Sequence, residues 1–420
     1  MTVRKTIKFR LYPTKPQESL LRDVLGTCRD VYNSMLHWRK FDYDVLGASP
    51  SYYDQKKALP IWKKSHPELK DVYSQVLQDV CSRVSLAYQS YFDRLADYQE
   101  RKAKGKLKID CTQGVPAELE KCPGPPRKKG RGVYDSITYT QAAAFQVGEN
   151  CISFSKLACI KAVLHRSIPG VPKTCTIRRQ SGKWYACVSC EVEAELLPST
   201  CEVVGMDVGI NNFAVTSDEE FIDNPRFFRQ DQKALAKAQR KFEKVKNKHR
   251  SPQRRKAKRV VARKQERIRN RRHNFVHQLT RRLVNRYGLI AVEMLLVVNM
   301  MATPSPKPDP ENPGQFLPNG ASAKSGLNKS IADAAWSMFR SILTYKAESA
   351  GRLVIGVPPA YTSQTCSSCG YCDPDNRPSQ AVFHCLNSKC GLQIHADINA
   401  AINILKIALD TSVGQHRLAA

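Results

Sequence analysis

The N-terminal run "TIKFRLYP", Thr6 to Pro13, alternates polar and apolar residues, a period-two pattern that predicts a strand with one face buried. Thr14 and Gln17 then stand three apart as a capping box, and Leu20, Leu21, Val24, Leu25, Cys28, Val31, Tyr32, Met35 and Leu36 recur behind them at helical spacing. A second helix is predicted from about Asp71, with Val72, Val76, Val80, Val84, Tyr88, Tyr91 and Leu95 on its apolar face. Residues 108–132 are rich in Pro, Gly and Lys and read as a linker. From 133 to 195 the short alternating runs return, and "TIRRQSGKWYACVSCEVE" predicts a hairpin turning at Ser181-Gly182. The first 200 residues therefore predict a small β unit with a helical insert.

The second half opens on "EVVGMDVGINNFAVTS", a strand from Val203 that Asp207 interrupts, with "FAVTS" as its return partner. Leu235, Ala238, Phe242 and Val245 keep a helical spacing, and Ser251-Pro252 predicts a break that makes a helical hairpin. "YGLIAVEMLLV" (Tyr287 to Val297) predicts a buried strand carrying one acid, Glu293. Residues 299–325, with repeated Pro and Gly, read as a mobile loop. "LNKSIADAAWSMFRSILTYKAESAG" predicts one amphipathic helix ending at Gly351, and "RLVIGVPP" another strand.

Charge changes this picture. The 420 residues carry a formal net charge of +29, which implies a polyanionic partner. Between Arg229 and Arg272 twenty Lys and Arg stand against three Asp and Glu. A run of almost pure sign, laid on a helical pattern, repels itself unless an anion covers it, so nucleic acid is the expected partner. No stretch reaches the ~18 apolar residues of a membrane span. The N-terminus has no apolar signal core, so a cytoplasmic setting is expected, where the fifteen cysteines serve as metal ligands or buried thiols rather than disulfides.

Three acids each break an apolar element: Asp207 in "GMDVG", Glu293 in "VEML" and Asp397 in "HADINAAINIL". A carboxylate beside a core strand is costly unless it is paired or binds a metal. Oxygen ligands of this kind suit Mg²⁺ or Mn²⁺, and two such ions can drive in-line displacement at a phosphodiester. Each acid alone has an ordinary structural explanation, Asp397 as a helix N-cap among them. Together, their order (hairpin strand, helices, strand, helix) fits an RNase H-type α/β domain. Cys366 and Cys369, then Cys385 and Cys390, form two thiol pairs suited to a structural Zn²⁺, each followed by a glycine, Gly370 and Gly391. Cys372 is the odd thiol, a spare or else a substitute for one of the four, with His384 and then His395 as further alternative ligands. Cys187 and Cys190 in "CVSC" point to opposite faces of a strand and are expected to be core thiols.

"GMDVGINNFAVTS", "HNFVHQLTRRLVNRYGLIAVEML", "YTSQTCSSCG" and "HADINAAINI" resemble the TnpB family, the OrfB proteins of insertion sequences, and are similar to compact type V CRISPR effectors with a RuvC-like nuclease. The resemblance runs over nearly the whole chain and implies an RNA-guided, Mg²⁺-dependent DNA endonuclease, a multidomain α+β protein that takes a guide RNA and double-stranded DNA and is expected to be a monomer. It implies a wedge β domain at 1–14 and 109–200 and a helical recognition lobe at 15–108. It further implies a RuvC-like nuclease at 201–360 with a basic helical insert at 229–285, a zinc ribbon at 361–393, a last nuclease segment at 394–410 and a tail at 411–420. Asp207, Glu293 and Asp397 match the family's catalytic acids. Tyr53, Ser74, Gln78 and Gln141 fall where relatives read a short duplex motif beside the target. Arg254, Arg255, Lys258 and Arg259 are the expected phosphate contacts. A guided DNA-binding regulator or transposon accessory factor that cuts little, and an unguided nuclease, are the alternatives.

Overall fold

The computed structural model of the chain describes residues 2–105, 109–110, 117–118, 121–245, 251–312 and 314–418. Two units divide it, Met1–Glu193 and Ala194–Ala420. In the first, β1 (Thr2–Leu11) leads through Thr14 into α1 (Lys15–Leu46), where the Thr14 and Gln17 side chains each bond the other's backbone N–H, as the sequence predicts. Next comes α2 (Tyr52–Ser65), a helix the apolar pattern does not reveal because it buries only Gln55 and Leu59. Its signal is the second capping box, Ser51 with Asp54. The helix expected from about Asp71 is α3 (Ser74–Ala103).

Six further strands follow: β2 (Ser136–Tyr139), β3 (Phe145–Val147), β4 (Cys151–Phe154), β5 (Leu157–Val163), β6 (Val171–Gln180) and β7 (Lys183–Glu193). The sheet is antiparallel, ordered β2-β6-β7-β1-β5-β4-β3. Ile7, Phe9 and Leu11 of β1 face a core shared with Leu21, Cys28 and Met35 of α1 and Leu77 and Val80 of α3. The β6–β7 hairpin turns where predicted, with Ser181 at φ 50° and Gly182 at φ 78°, the two left-handed residues a tight right-twisted hairpin needs. Two cysteine expectations are corrected. Cys190 is a core thiol, but Cys187 sits half-exposed on the opposite face. Cys151 and Cys159 form a disulfide, because the β4–β5 hairpin folds residues eight apart onto one another with Cα atoms 6.1 Å apart. Of the linker, residues 108, 111–116 and 119–120 lie outside the described residues; Ile109–Asp110 and Ala117–Glu118 pair as a short antiparallel ladder, residues 121–132 are irregular, and the Asn33 side chain grips both the N–H and the C=O of Lys129.

The second unit is a five-stranded sheet of β8 (Val203–Val208), β9 (Asn212–Thr216), β10 (Phe221–Asp223), β11 (Leu289–Glu293) and β12 (Leu353–Val357), ordered β10-β9-β8-β11-β12. The β8–β9–β10 meander is antiparallel, whereas β8, β11 and β12 run parallel. Between β10 and β11 stand α4 (Phe227–Glu243) and α5 (Pro252–Arg286), the predicted basic hairpin. The helix expected over 327–351 is instead two, α6 (Ala321–Ala334) and α7 (Trp336–Ala350), broken at Ala335 with φ 59°. The break follows Asp333, whose carboxylate accepts from the backbone N–H groups of Phe228 and Arg229 and pairs with Arg272 at 2.7 Å. It caps α4, which has no side-chain cap of its own. The stretch read as a mobile loop contains a two-residue β ladder, Lys307–Pro308 with Phe316–Leu317.

After β12 comes a small two-stranded sheet, β13 (Val382–His384) and β14 (Gln393–His395), and β14 runs directly into α8 (Ala396–Leu418). α8 lies so close on β8 that a Cβ at Gly205 would meet the Ala401 carbonyl oxygen at 2.1 Å. Only glycine permits that approach. No helix among the described residues is long and apolar enough to cross a membrane.

Candidate active site and metal centre

Asp207 is the penultimate residue of β8 and Glu293 the last of β11. Their strands are parallel and in register, with Met206 opposite Val292, so the two acids emerge side by side at the carboxyl ends, where open α/β sheets hold ligands. Asp397 is the second residue of α8, one turn before the Ala401–Gly205 contact. Burial, then the charges of Glu293 and Asp397, push the Asp207 carboxyl up to about 8, while Arg377 opposes them. Burial likewise raises Glu293, against a hydrogen bond from Thr362 Oγ1 to its Oε1 at 3.0 Å and the charge of Arg377. Arg377 Nη2 donates to Asp397 Oδ1 at 3.0 Å, and the Asp397 backbone N–H donates to His395 Nδ1 at 3.2 Å. Three acids thus share one guanidinium in a largely buried place. That surplus negative charge on oxygen donors fits hard divalent cations. Beside Glu293 lies a cavity of about 10 Å³, lined also by Trp336, Ser337 and Arg340, and the Trp336 indole N–H is buried with no acceptor among the described residues.

The sequence gives no sign of Arg377 or Thr362 as members of this site. Arg377 is one basic residue in a loop between cysteine pairs, and Thr362 reaches Glu293 across 69 residues. Both contacts are tertiary.

Cys366, Cys369, Cys385 and Cys390 meet with their sulfur atoms all within 4.8 Å of one another. Cys366 and Cys390 are 3.7 Å apart and Cys369 and Cys385 3.6 Å. A tetrahedron with ~2.3 Å Zn–S bonds has edges of ~3.8 Å, so the thiols fit zinc. A hydrogen bond from the Tyr371 backbone lowers the Cys369 thiol while burial raises its neighbour Cys385, so the cluster gives up its first proton at Cys369. Gly370 (φ 77°) and Gly391 (φ 59°) supply the left-handed turns at the two knuckles. The wider second pair is accommodated by a turn in which Asn387 accepts from the backbone of both Cys390 and Gly391. Cys372 stays outside the cluster, bridged through its backbone to Thr365; His384 is exposed on β13, and His395 is engaged by Asp397 and by the Phe221 ring at 5.0 Å.

Tyr53, Ser74 and Gln78 line one open cleft of about 640 Å³ together with Lys56, Lys57 and Lys63, and Lys63 donates to Ser74 Oγ at 2.7 Å. Gln141 is exposed outside that cleft, next to Thr140, which donates to Gln75 of α3 at 3.1 Å. On α5, Arg255, Lys258 and Arg259 are exposed, but Arg254 folds back over the Phe242 ring at 4.8 Å and donates to the Val245 carbonyl. A further basic surface, unmarked in the sequence, lies on the sheet of the first unit: Lys8 and Arg10 flank the Tyr185 ring at 4.0 and 5.1 Å.

Comparison with known proteins matches residues 186–303 to a family described as "Probable transposase", 336–404 to "Cas12f1-like, TNB domain" and 1–44 to "Helix-turn-helix domain". In this chain residues 1–44 are a strand and most of one long helix. Over 404 residues the chain is 32% identical to "Putative RNA-guided DNA endonuclease InsQ" of Escherichia coli (strain K12), spanning 96% of this chain and 91% of that protein. It is 30% identical over 418 residues to "Putative RNA-guided DNA endonuclease" of Streptomyces pristinaespiralis, spanning 98% and 90%. A solved structure, CasPhi-2 (Cas12j) bound to crRNA, aligns over 97% of this chain and 98% of its own at a TM-score of 0.50 and 11% identity, a likeness of fold.

Proposed function

We infer that the chain, which belongs to the TnpB family of insertion-sequence OrfB proteins, is an RNA-guided DNA endonuclease that cuts at the Asp207, Glu293 and Asp397 cluster. The observation that carries this reading is that three carboxylates, drawn from positions 207 to 397, come near enough at the ends of two parallel strands and the start of α8 for Glu293 and Asp397 to raise Asp207. The antiparallel meander followed by parallel strands supports an RNase H-like, RuvC-type domain over 201–360 and 394–410, with the cysteine knuckles as a zinc ribbon inserted at 361–393. The sheet and helices of the first unit correspond to a wedge β domain and a recognition lobe.

Asp207, Glu293 and Asp397 would hold Mg²⁺ or Mn²⁺, as a two-metal reaction needs, with Asp207 the candidate shared ligand because both other acids act on it. When bound, such ions activate a water and steady the leaving oxygen of an in-line displacement. The protein's own groups prepare the site. Thr362 fixes one oxygen of Glu293 and leaves the other available. Arg377 steadies Asp397 and brings a positive charge to a place where phosphate oxygens must approach three acids. Burial and the neighbouring acids keep a proton on Asp207 near neutral pH, which a bound divalent cation would displace. Pairing with a guide RNA selects the target, and the protein reads a short flanking duplex motif. The cleft of Tyr53, Ser74 and Gln78, with Gln141 beyond it, is the candidate reader, and its lysines suit a phosphate backbone. The exposed cations of α5 hold the nucleic acid, in a cytoplasmic protein acting as a monomer.

The test is guide-directed, Mg²⁺-dependent cleavage of a plasmid library with randomised flanking bases, beside Asp207→Ala. Guide-matched cutting that disappears in the variant is expected. Guide-matched retention of DNA with no cutting by the wild type would instead make the chain a guided DNA-binding regulator, and cutting without RNA would end the guided reading.

A further inference from the structure

α8 does more than carry Asp397. Two residues later begins a polar stripe that is buried although the rest of that face is apolar: Asn399 is fully buried and Asn403, one turn on, nearly so. Asn399 Oδ1 accepts from the Ser367 N–H at 2.8 Å while its Nδ2 donates to the Thr365 carbonyl at 2.8 Å. Asn403 Nδ2 donates to the carbonyls of Thr362 (2.9 Å) and Thr365 (2.7 Å), and Lys406 Nζ donates to the Ser367 carbonyl. All these bonds land on residues 362–367, the segment that delivers Cys366 to the thiol cluster. Buried amides with every bond directed at one backbone segment fix a single register, which an apolar contact would not.

The same segment ends in the carboxylate site. Thr362 is itself buried, and the hydroxyl on the residue whose carbonyl Asn403 holds is the one bonded to Glu293. A second route runs through Asn376, also fully buried. It donates to the carbonyls of Gln364 and Tyr371 at the first knuckle and accepts from the Leu386 N–H beside Cys385 at the second. The next residue is Arg377, paired with Asp397. The first knuckle is therefore linked through the 362–367 segment to Glu293, and both knuckles are linked through Asn376 and its chain neighbour Arg377 to Asp397.

The geometry points to Thr362, Asn376, Asn399 and Asn403 as positioning residues that couple the cysteine cluster to the carboxylate cluster, so that metal on the thiols raises the affinity of Asp207, Glu293 and Asp397 for divalent cations. This rests on the reading that those three acids bind such cations. In that arrangement the ribbon is a structural partner of the cutting site. Partners that orient a metal's carboxylate ligands govern affinity about 10- to 100-fold.

The experiment is a Mn²⁺ titration followed by electron paramagnetic resonance on the full chain, with Asp207→Asn defining binding elsewhere and zinc content assayed in every sample. Thr362→Val keeps the shape and removes the hydroxyl; it is expected to weaken Mn²⁺ binding about tenfold with its zinc intact, and Thr362→Ser to restore it. Stripping zinc from the wild type should weaken Mn²⁺ binding at least as much, and returning zinc should recover it. Wild-type affinity in Thr362→Val, or in folded zinc-stripped protein, overturns the coupling and leaves the cutting reading in place. If stripped protein unfolds, the zinc-loaded Thr362 pair decides alone. Absence of any Asp207-dependent Mn²⁺ signal in the wild type would overturn both, a pattern distinct from the others.

Discussion

Asp207 sets the clearest expectation at the scale of one residue. Its carboxyl sits near 8 in the folded chain because burial and two neighbouring acids disfavour the charge. Unfolded, it returns to the ordinary range near 4. Over that window the folded form binds the extra proton, so metal-free stability from this group is full below about pH 4 and is lost as pH rises through about 8. Asp207→Asn removes the charge and keeps the shape. Metal-free melting temperatures should therefore agree near pH 4, with the variant progressively more stable toward pH 8; calorimetry of both proteins across that range checks it, and a gap independent of pH would mean the carboxylate is not strained. Adding Mg²⁺ should close the gap from the wild-type side alone. The three acids were legible in the sequence because each interrupts an apolar run. Thr362 and Arg377 were not, since nothing in a threonine or a loop arginine says what it will face once the chain folds.

At the scale of elements, spacing predicts what a helix or strand buries but not where two elements touch. The Thr14 box, the Ser181-Gly182 turn and the break at Ser251-Pro252 were legible because capping, turn chemistry and proline act locally. α2 escaped notice because it buries so little, and the break at Ala335 escaped because Asp333 caps a helix a hundred residues upstream. Removing that carboxylate tests the idea: Asp333→Ala leaves the half-buried Arg272 unpaired and the start of α4 uncapped, and should cost about 3–5 kcal/mol in urea unfolding. A loss within a few tenths would mean the α4 end is held by packing alone. Gly205 offers a second test. Its methyl variant must push α8 from β8 at the turn that positions Asp397, so Gly205→Ala should lose about 1–3 kcal/mol of stability and most cutting. Gly26, inside α1 with nothing within 4 Å of where an added methyl would sit, should gain about 0.5–1 kcal/mol from the same change, which separates a generic glycine effect from the close approach.

At the scale of the whole molecule, the +29 charge announces a polyanion but cannot say which cations meet it. The helical hairpin sorts them: Arg254 is spent inside, on Phe242 and the Val245 carbonyl, whereas Arg255, Lys258 and Arg259 face outward. That difference is invisible in a run where every second residue is basic, because it depends on how α4 and α5 pack. It is also measurable. Removing one cation from a phosphate lowers the slope of log affinity against log salt by about 0.7–0.9. Changing Arg255, Lys258 and Arg259 together to Gln should flatten the slope for guide-loaded target DNA by up to about 2–3 while leaving the melting temperature near wild type. Arg254→Gln should do the reverse, lowering the melting temperature through the loosened hairpin with little change in slope. Filter binding over a range of NaCl concentrations, read beside thermal melts, distinguishes the two. An unchanged slope in the triple variant would remove α5 from the nucleic-acid interface and leave the basic sheet face around Lys8, Arg10 and Tyr185 as the surface to test next.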